Sequence, residues 1–341
     1  MEINNETPFP LFCHRDHLDD RFALVDATVK ITYDSVDGGW RVAREQLPIE
    51  SEPSLSLPMG DVPYLRPPDV TEVTVTGTVR APGARPFAEA SVMLRVGEQL
   101  RVLRVLGRRW WRKRGTELEA SEPEPVDTVP MSWAHAYGGA WDRAPGLLPG
   151  TETPAPSTRM ACSANPLGKG WVIDASEAEG VELPQIEDPN EPIRRWNDRP
   201  SPKCWAPLPV ESSLRMSHLV VEGGKLNGRD GEPPWPRMLL NASPDLQLER
   251  VAPGTPLDVR GLGEHPLTGF IVPSPAVAWH VAAGSRSRSR SPELVAIRID
   301  ADSARIALVW HARLHAPLVR GERRVFTLHA APGLARTELP V

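Results

Sequence analysis

Cysteine is scarce in this chain: Cys13, Cys162 and Cys204 are the only three among 341 residues. They are widely spaced and odd in number, which argues against a secreted disulfide framework and for a reducing compartment. Long hydrophobic runs are missing too. Nothing approaches the ~20 apolar residues of a membrane-crossing helix, and the segment Met1 to Pro10 carries Glu2 and Glu6 in place of a basic region followed by an apolar one. A cytoplasmic protein with no membrane partner is expected. A surplus of positive charge is also lacking, since the formal net charge is -5 with both signs interspersed. The electrostatic attraction behind non-specific nucleic-acid binding is therefore absent, and no nucleic-acid partner is expected.

Catalytic fingerprints are equally sparse. The glycine-rich phosphate and dinucleotide loops do not occur, so no cofactor is expected. No Gly-x-Ser-x-Gly elbow accompanies His135, whose only near hydroxyls are Ser132 and the Tyr137 phenol. A hydrolase reading would have to join His135 to a carboxylate such as Glu187 or Asp142. Cys162 and Cys204 lack the local signature of a cysteine hydrolase and read as small buried hydrophobes. Cys13, His14 and His17 are a metal-ligand trio without a fourth partner or a Cys-x-x-Cys pair, and no metal is expected. Glu177, Glu179, Glu182, Glu187, Asp188 and Glu191 lie on a proline-rich segment and read as a solvated face.

What the chain does have is 38 prolines and 26 glycines, spread so that almost every segment is interrupted. Proline is expelled from helix interiors and central strands, so short strands with many turns are expected and long helices are not. Phe22 to Tyr33 alternates, meets the turn Asp37-Gly38-Gly39 and resumes at Trp40-Arg41-Val42, which predicts a hairpin. Pro48 to Pro68 reads as an irregular surface connection. Thr71 to Arg80 predicts a half-buried strand with Val73, Val75, Gly77 and Val79 on one face and Thr74, Thr76 and Thr78 on the other. Ser91 to Val96 and Gln99 to Leu106 predict a second hairpin, followed by the Trp- and Arg-rich run Arg108 to Arg114.

Periodicity then collapses between Ala120 and Gly231, where Trp133, Trp141, Trp171, Trp196 and Trp205 stand among Pro, Gly, Asn and Asp. Buried indoles can order such loops without regular ladders. Strand patterns return at Pro256 to Leu262, Phe270 to Val272, Glu293 to Ile299, Arg305 to Leu314 and Arg323 to Ala330, with Ser285 to Ser291 (SRSRSRS) as a low-complexity solubilising loop. The predicted fold is mainly β: antiparallel sandwich or barrel-like sheets with a loop-rich, Trp-anchored middle layer and little helix. The expected regions are 1–119, N-terminal β; 120–235, loop-rich; and 236–341, C-terminal β, with one continuous fold an open alternative.

The middle region carries four elements in order: Trp133-Ala134-His135-Ala136-Tyr137-Gly138-Gly139, Asn165-Pro166-Leu167-Gly168-Lys169-Gly170-Trp171, Leu183-Pro184-Gln185-Ile186-Glu187, and Arg199-Pro200. This order resembles a bacterial domain-of-unknown-function family found beside type VI secretion genes. The likeness extends to Pro67–Gly77, Leu106–Trp110, Leu239–Gln247 and Ile306–Leu314, and so to nearly the whole chain. It departs where Leu214-Arg215-Met216-Ser217-His218 replaces a Gly-Thr-aromatic-Asp element. The resemblance implies a non-catalytic adaptor or chaperone whose partner is an effector, a PAAR-type tip protein or another spike protein. A structural component of the spike is the further reading. Trp133, His135, Tyr137, Gly138, Gly139, Asn165, Pro166, Gly168, Gly170, Trp171, Pro184, Glu187, Arg199 and Pro200 are then the candidate partner-binding framework. The glycine-bearing loops are expected to shape turns rather than to touch cargo.

Overall fold

A computed structural model describes residues 2–19, 22–54, 56–62, 69–80, 83, 85–115, 117–143, 158–222, 225–228, 236–317 and 324–331. The protein is mainly β, as its proline and glycine distribution predicts, and among the described residues the helical pieces are single 3-10 turns. None of the described helices is long and apolar enough to cross a membrane.

Three sheets dominate. The largest has seven strands, running Gln247–Glu249, Val70–Thr76, Glu293–Asp300, Arg305–Pro317, Phe22–Val36 and Leu11–Asp19, with Gly39–Val42 also paired to Phe22–Val36. A five-stranded sheet runs Ile186–Glu187, Gln99–Leu106, Glu89–Val96, Pro256–Arg260 and Leu267–Ile271. A four-stranded sheet runs Glu2–Asn5, Arg324–Ala330, Val277–Ala283 and Arg286–Arg290. Each of the two larger sheets combines strands from residues 1–119 with strands from 236–341. Buried side chains of all three, among them Ile31, Val75, Leu94, Val105, Trp279 and Phe326, meet in one hydrophobic core.

The expected hairpins form. Asp37 and Gly38 both take positive φ, 51° and 78°, the mirror-image turn whose twist matches that of the strands it joins. The hairpins Glu89–Val96/Gln99–Leu106 and Glu293–Asp300/Arg305–Pro317 are antiparallel, as expected.

Other expectations are corrected. The sheets are open rather than barrel-like among the described residues, and while the five-stranded one is antiparallel the other two are mixed: Val70–Thr76 runs parallel to Glu293–Asp300, with Val73 opposite Ile297, and Glu2–Asn5 runs parallel to Arg324–Ala330. The strand expected over Thr71 to Arg80 breaks at Gly77 into Val70–Thr76 and Thr78–Arg80. Its first part is buried on both faces, because Val73 and Val75 point into the main core while Glu72 and Thr74 turn toward a buried polar network. The Arg/Ser repeat is not a loop. Arg286–Arg290 pairs antiparallel with Val277–Ala283 at a sheet edge, and its residues are all exposed. Alternation of two polar residues has the period of a strand as surely as alternation of polar and apolar ones. The connection after Pro48 is irregular where described, yet it buries Leu57, Asp61 and Val62, because it lies over the polar face of the large sheet. Residues 55 and 63–68 of that connection lie outside the described residues.

Candidate functional site

The first motif element starts with a cap. The Ser132 hydroxyl accepts from Ala134 N at 3.3 Å and starts a single 3-10 turn, Trp133–His135. Trp133 is buried in the main core, and its indole N–H donates to the Ala206 carbonyl at 3.0 Å. The chain then extends, and Tyr137–Gly138 pairs parallel with Lys169–Gly170 of the second element. Ala136 bridges Ile186 of the third. Three elements separated in sequence therefore lie side by side.

Asn165 ties the first two together. Its side-chain amide donates to the carbonyls of Trp133 at 2.8 Å and Tyr137 at 3.0 Å, while its own carbonyl accepts from Gly139 N at 2.8 Å. Asn165 is fully buried, so these bonds satisfy groups that water cannot reach. Gly138 has φ of +141°, and a side chain there would collide with the Asn165 carbonyl. At Gly168 a Cβ would stand 2.5 Å from the Ala136 carbonyl oxygen. Pro166 is half-buried in the same turn, and Trp171 N donates back to the Gly138 carbonyl at 3.0 Å. Glycine is needed here for close backbone approach.

The third element is anchored from beneath. Arg109 forms a buried ion pair with Glu187 and donates to the Pro184 carbonyl at 3.1 Å. Burial pushes the Glu187 carboxyl above its ordinary range, and Arg109 only partly opposes this. His135 Nδ1 lies 2.9 Å from Gln185 Oε1, and Gln185 N donates to the His135 carbonyl at 2.8 Å. Burial depresses the His135 pKa, against the hydrogen bond that the ring donates to Gln185. The fourth element closes the assembly: Arg199 donates to the Val172 carbonyl at 2.6 Å, and the Tyr137 hydroxyl donates to the Asp198 carbonyl at 3.1 Å. Pro200 follows, half-buried. Tyr137, Trp111, Val172, Leu183 and Ile193 form a second small core, with Trp171 and Trp196 packed against it.

All the framework residues thus fall in one interlocked region, which carries the Ile186–Glu187 strand and lays it against Arg104 and Val105 of the five-stranded sheet. His135 and Glu187 are each engaged by a different side chain, and the side chain of Asp142 lies outside the described residues. Burial pushes the Cys204 thiol up to about 12 and the Cys13 thiol to about 11, so both are protonated at neutral pH. Cys13 and His14 are adjacent on the strand Leu11–Asp19 and so point to opposite faces. The basic run Arg108 to Arg114 is split, with Arg109 buried under Glu187 and Arg112 stacked 5.8 Å above the Trp110 ring.

Sequence reasoning missed a second polar centre, on the far face of the large sheet. Lys30 bonds Asp61 at 2.7 Å, Arg298 pairs with Glu72, and Glu72 accepts from Ala242 N at 3.0 Å and from Asn241 N. The Asn241 side chain reaches Gly60 O and Met59 N, both at 2.8 Å, and so pins the connection 56–62 onto the sheet. A cavity of about 240 Å³ opens beside it, lined by Lys30, Glu50, Thr74, Arg298, Asp300 and Arg305. The only signal was a Lys and a Glu within Val- and Thr-rich strands. Arg215, in the departing element, is likewise buried and donates to the carbonyls of Leu208, Pro209, Met238 and Leu240.

No curated protein and no solved structure matches the chain. A family model described as an uncharacterized protein conserved in bacteria (DUF2169) matches residues 21–311, a span that contains the whole framework and both polar centres. The chain belongs to this DUF2169 family of conserved bacterial proteins.

Proposed function

We propose that the protein is a non-catalytic adaptor that binds an effector or a PAAR-type spike-tip protein and promotes its stability and its loading onto a type VI secretion spike. The observation that carries the binding role is where the motif residues spend their polar groups. Asn165, His135, Gln185, Arg109, Glu187 and Arg199 bond inward, to the framework itself. What this buttress holds in place is the strand Gln99–Leu106, whose Leu100 and Val102 are 51% and 39% exposed. Ile186–Glu187 covers only Arg104 and Val105, so toward Gln99 this strand has a single neighbour among the described residues. An open strand with alternating exposed apolar side chains suits strand addition by an apolar segment of a partner. The secretion setting rests on the resemblance of the motif order.

Affinity purification from a native host tests the proposal, with the neighbouring effector gene present or deleted. Near-equal recovery of an effector or PAAR-type protein, with effector levels falling when this gene is removed, is the expected result. Replacing Leu100 and Val102 by Asp should weaken that recovery without unfolding the protein. Recovery of the chain alone, with secretion unchanged by its deletion, would sink the adaptor reading.

A further inference from the structure

The strand Arg286–Arg290 is the outer edge of the four-stranded sheet, and its one strand neighbour among the described residues is Val277–Ala283. Arg286, Arg288 and Arg290 stand opposite Ala283, Val281 and Trp279, so they share the face on which Trp279 is buried. They extend that face beyond the core as an exposed cationic ledge. Among the described residues, no carboxylate is paired with any of the three. In a chain of net charge -5 this strand is a local exception.

We infer that this edge docks an extended acidic segment of a partner protein, which adds as a fifth strand and places alternate carboxylates against Arg286, Arg288 and Arg290. Other occupants fit less well. A second copy of the strand would set arginine against arginine, and like charges directly opposite repel. An apolar segment finds only Arg and Ser to grip. A nucleic acid could satisfy the guanidinium groups, but its backbone offers no alternating donors and acceptors to complete the strand edge, which an added peptide does. Carboxylates bind guanidinium groups through paired charge-assisted hydrogen bonds, and the two-residue spacing of the arginines matches the side-chain period of one face of a strand. The inference goes beyond the adaptor reading: it concerns a different sheet from the one bearing Leu100 and names the chemistry of what binds there.

The test uses the full chain and a fluorescein-labelled peptide of alternating Glu and Thr, followed by fluorescence anisotropy. Two further versions of the peptide carry backbone N-methyl groups on the Glu residues or on the Thr residues, which leaves the charge intact and blocks one set of N–H groups. The unmodified peptide is expected to bind, one methylated version to lose at least roughly tenfold in affinity, and the other to be tolerated. The triple variant R286E/R288E/R290E should lose binding while its thermal unfolding stays nearly unchanged, because all three residues are exposed and no carboxylate among the described residues is paired with them. Absence of binding, equal affinity for both methylated versions, or tighter binding of polyuridylate RNA would each overturn the inference. Copurification of an effector alongside failure of the peptide would leave the adaptor reading standing and remove this one.

Discussion

Asn165 holds two carbonyls that no water reaches, those of Trp133 and Tyr137. Asn165→Ala takes away the donor to the Tyr137 carbonyl and leaves the Trp133 carbonyl only Ala136 N at 3.2 Å, and it should cost about 1–3 kcal/mol, measured by urea denaturation. Among the described residues Glu187 is the one carboxylate in direct contact with the buried Arg109 guanidinium, so Glu187→Ala should cost about 3–5 kcal/mol, and pairing it with Arg109→Met should recover part of the loss. Asp26 gives a pH signature. Burial alone would raise its carboxyl, but His311 at 3.3 Å and Arg313 at 2.9 Å outweigh this and hold it at about 2. A depressed carboxylate adds stability that is present above its unfolded value of ~3.9 and is lost as pH falls through the folded one. Asp26→Asn should therefore cost about 1 kcal/mol at neutral pH, after discounting for solvent screening, and almost nothing near pH 2. A difference that persists at pH 2 would contradict the assignment. Asn165 and Gly138 were legible in the sequence, because an Asn-Pro turn and a Gly-Gly pair announce tight backbone geometry locally. Arg109 and Gln185 were not. Arg109 meets Glu187 across 78 residues of chain, and nothing in either neighbourhood names the other.

Among the elements, legibility follows length. Phe22–Val36 and Arg305–Pro317 are long enough to display a period, and the hairpin after Phe22–Val36 announces itself through Asp37-Gly38, a turn that requires positive φ. Tyr137–Gly138, Lys169–Gly170 and Ile186–Glu187 have two residues each, too few for any period, and exist only because tertiary pairing aligns them. Val277–Ala283 was missed because a strand central to its sheet and lined with Ala, Val and Trp has no polar alternation to reveal it. The Tyr137–Gly138 pairing should be sensitive to a single methyl group. Gly138→Ala forces a side chain into the Asn165 carbonyl at φ of +141° and should cost more than about 2 kcal/mol. Loss of near-ultraviolet circular dichroism from the tryptophans around this joint is the accompanying readout, and an unperturbed spectrum with unchanged stability would refute the described pairing.

For the whole molecule, sheet order decides how the chain can be divided. Val70–Thr76 lies between Gln247–Glu249 and Glu293–Asp300, Phe22–Val36 lies against Arg305–Pro317, and Glu89–Val96 lies against Pro256–Arg260. A fragment ending at residue 235 would expose the edges of all three of these strands and uncover the core that Trp279, Phe326 and Leu328 help to close. Sequence patterns could mark the strands of each third of the chain, but pairing between strands two hundred residues apart leaves no local trace. Contacts of this range also make folding cooperative, because neither end can bury its apolar faces alone. Fragment 1–235 expressed by itself should be insoluble or lack fixed tryptophan packing, and co-expression with 236–341 should restore a soluble complex. The intact chain should unfold in one calorimetric transition whose van't Hoff and calorimetric enthalpies agree. Two resolved transitions, or a soluble and well-packed 1–235 fragment, would mean that the N-terminal strands find sufficient partners without the C-terminal ones, in conflict with the sheet order described above.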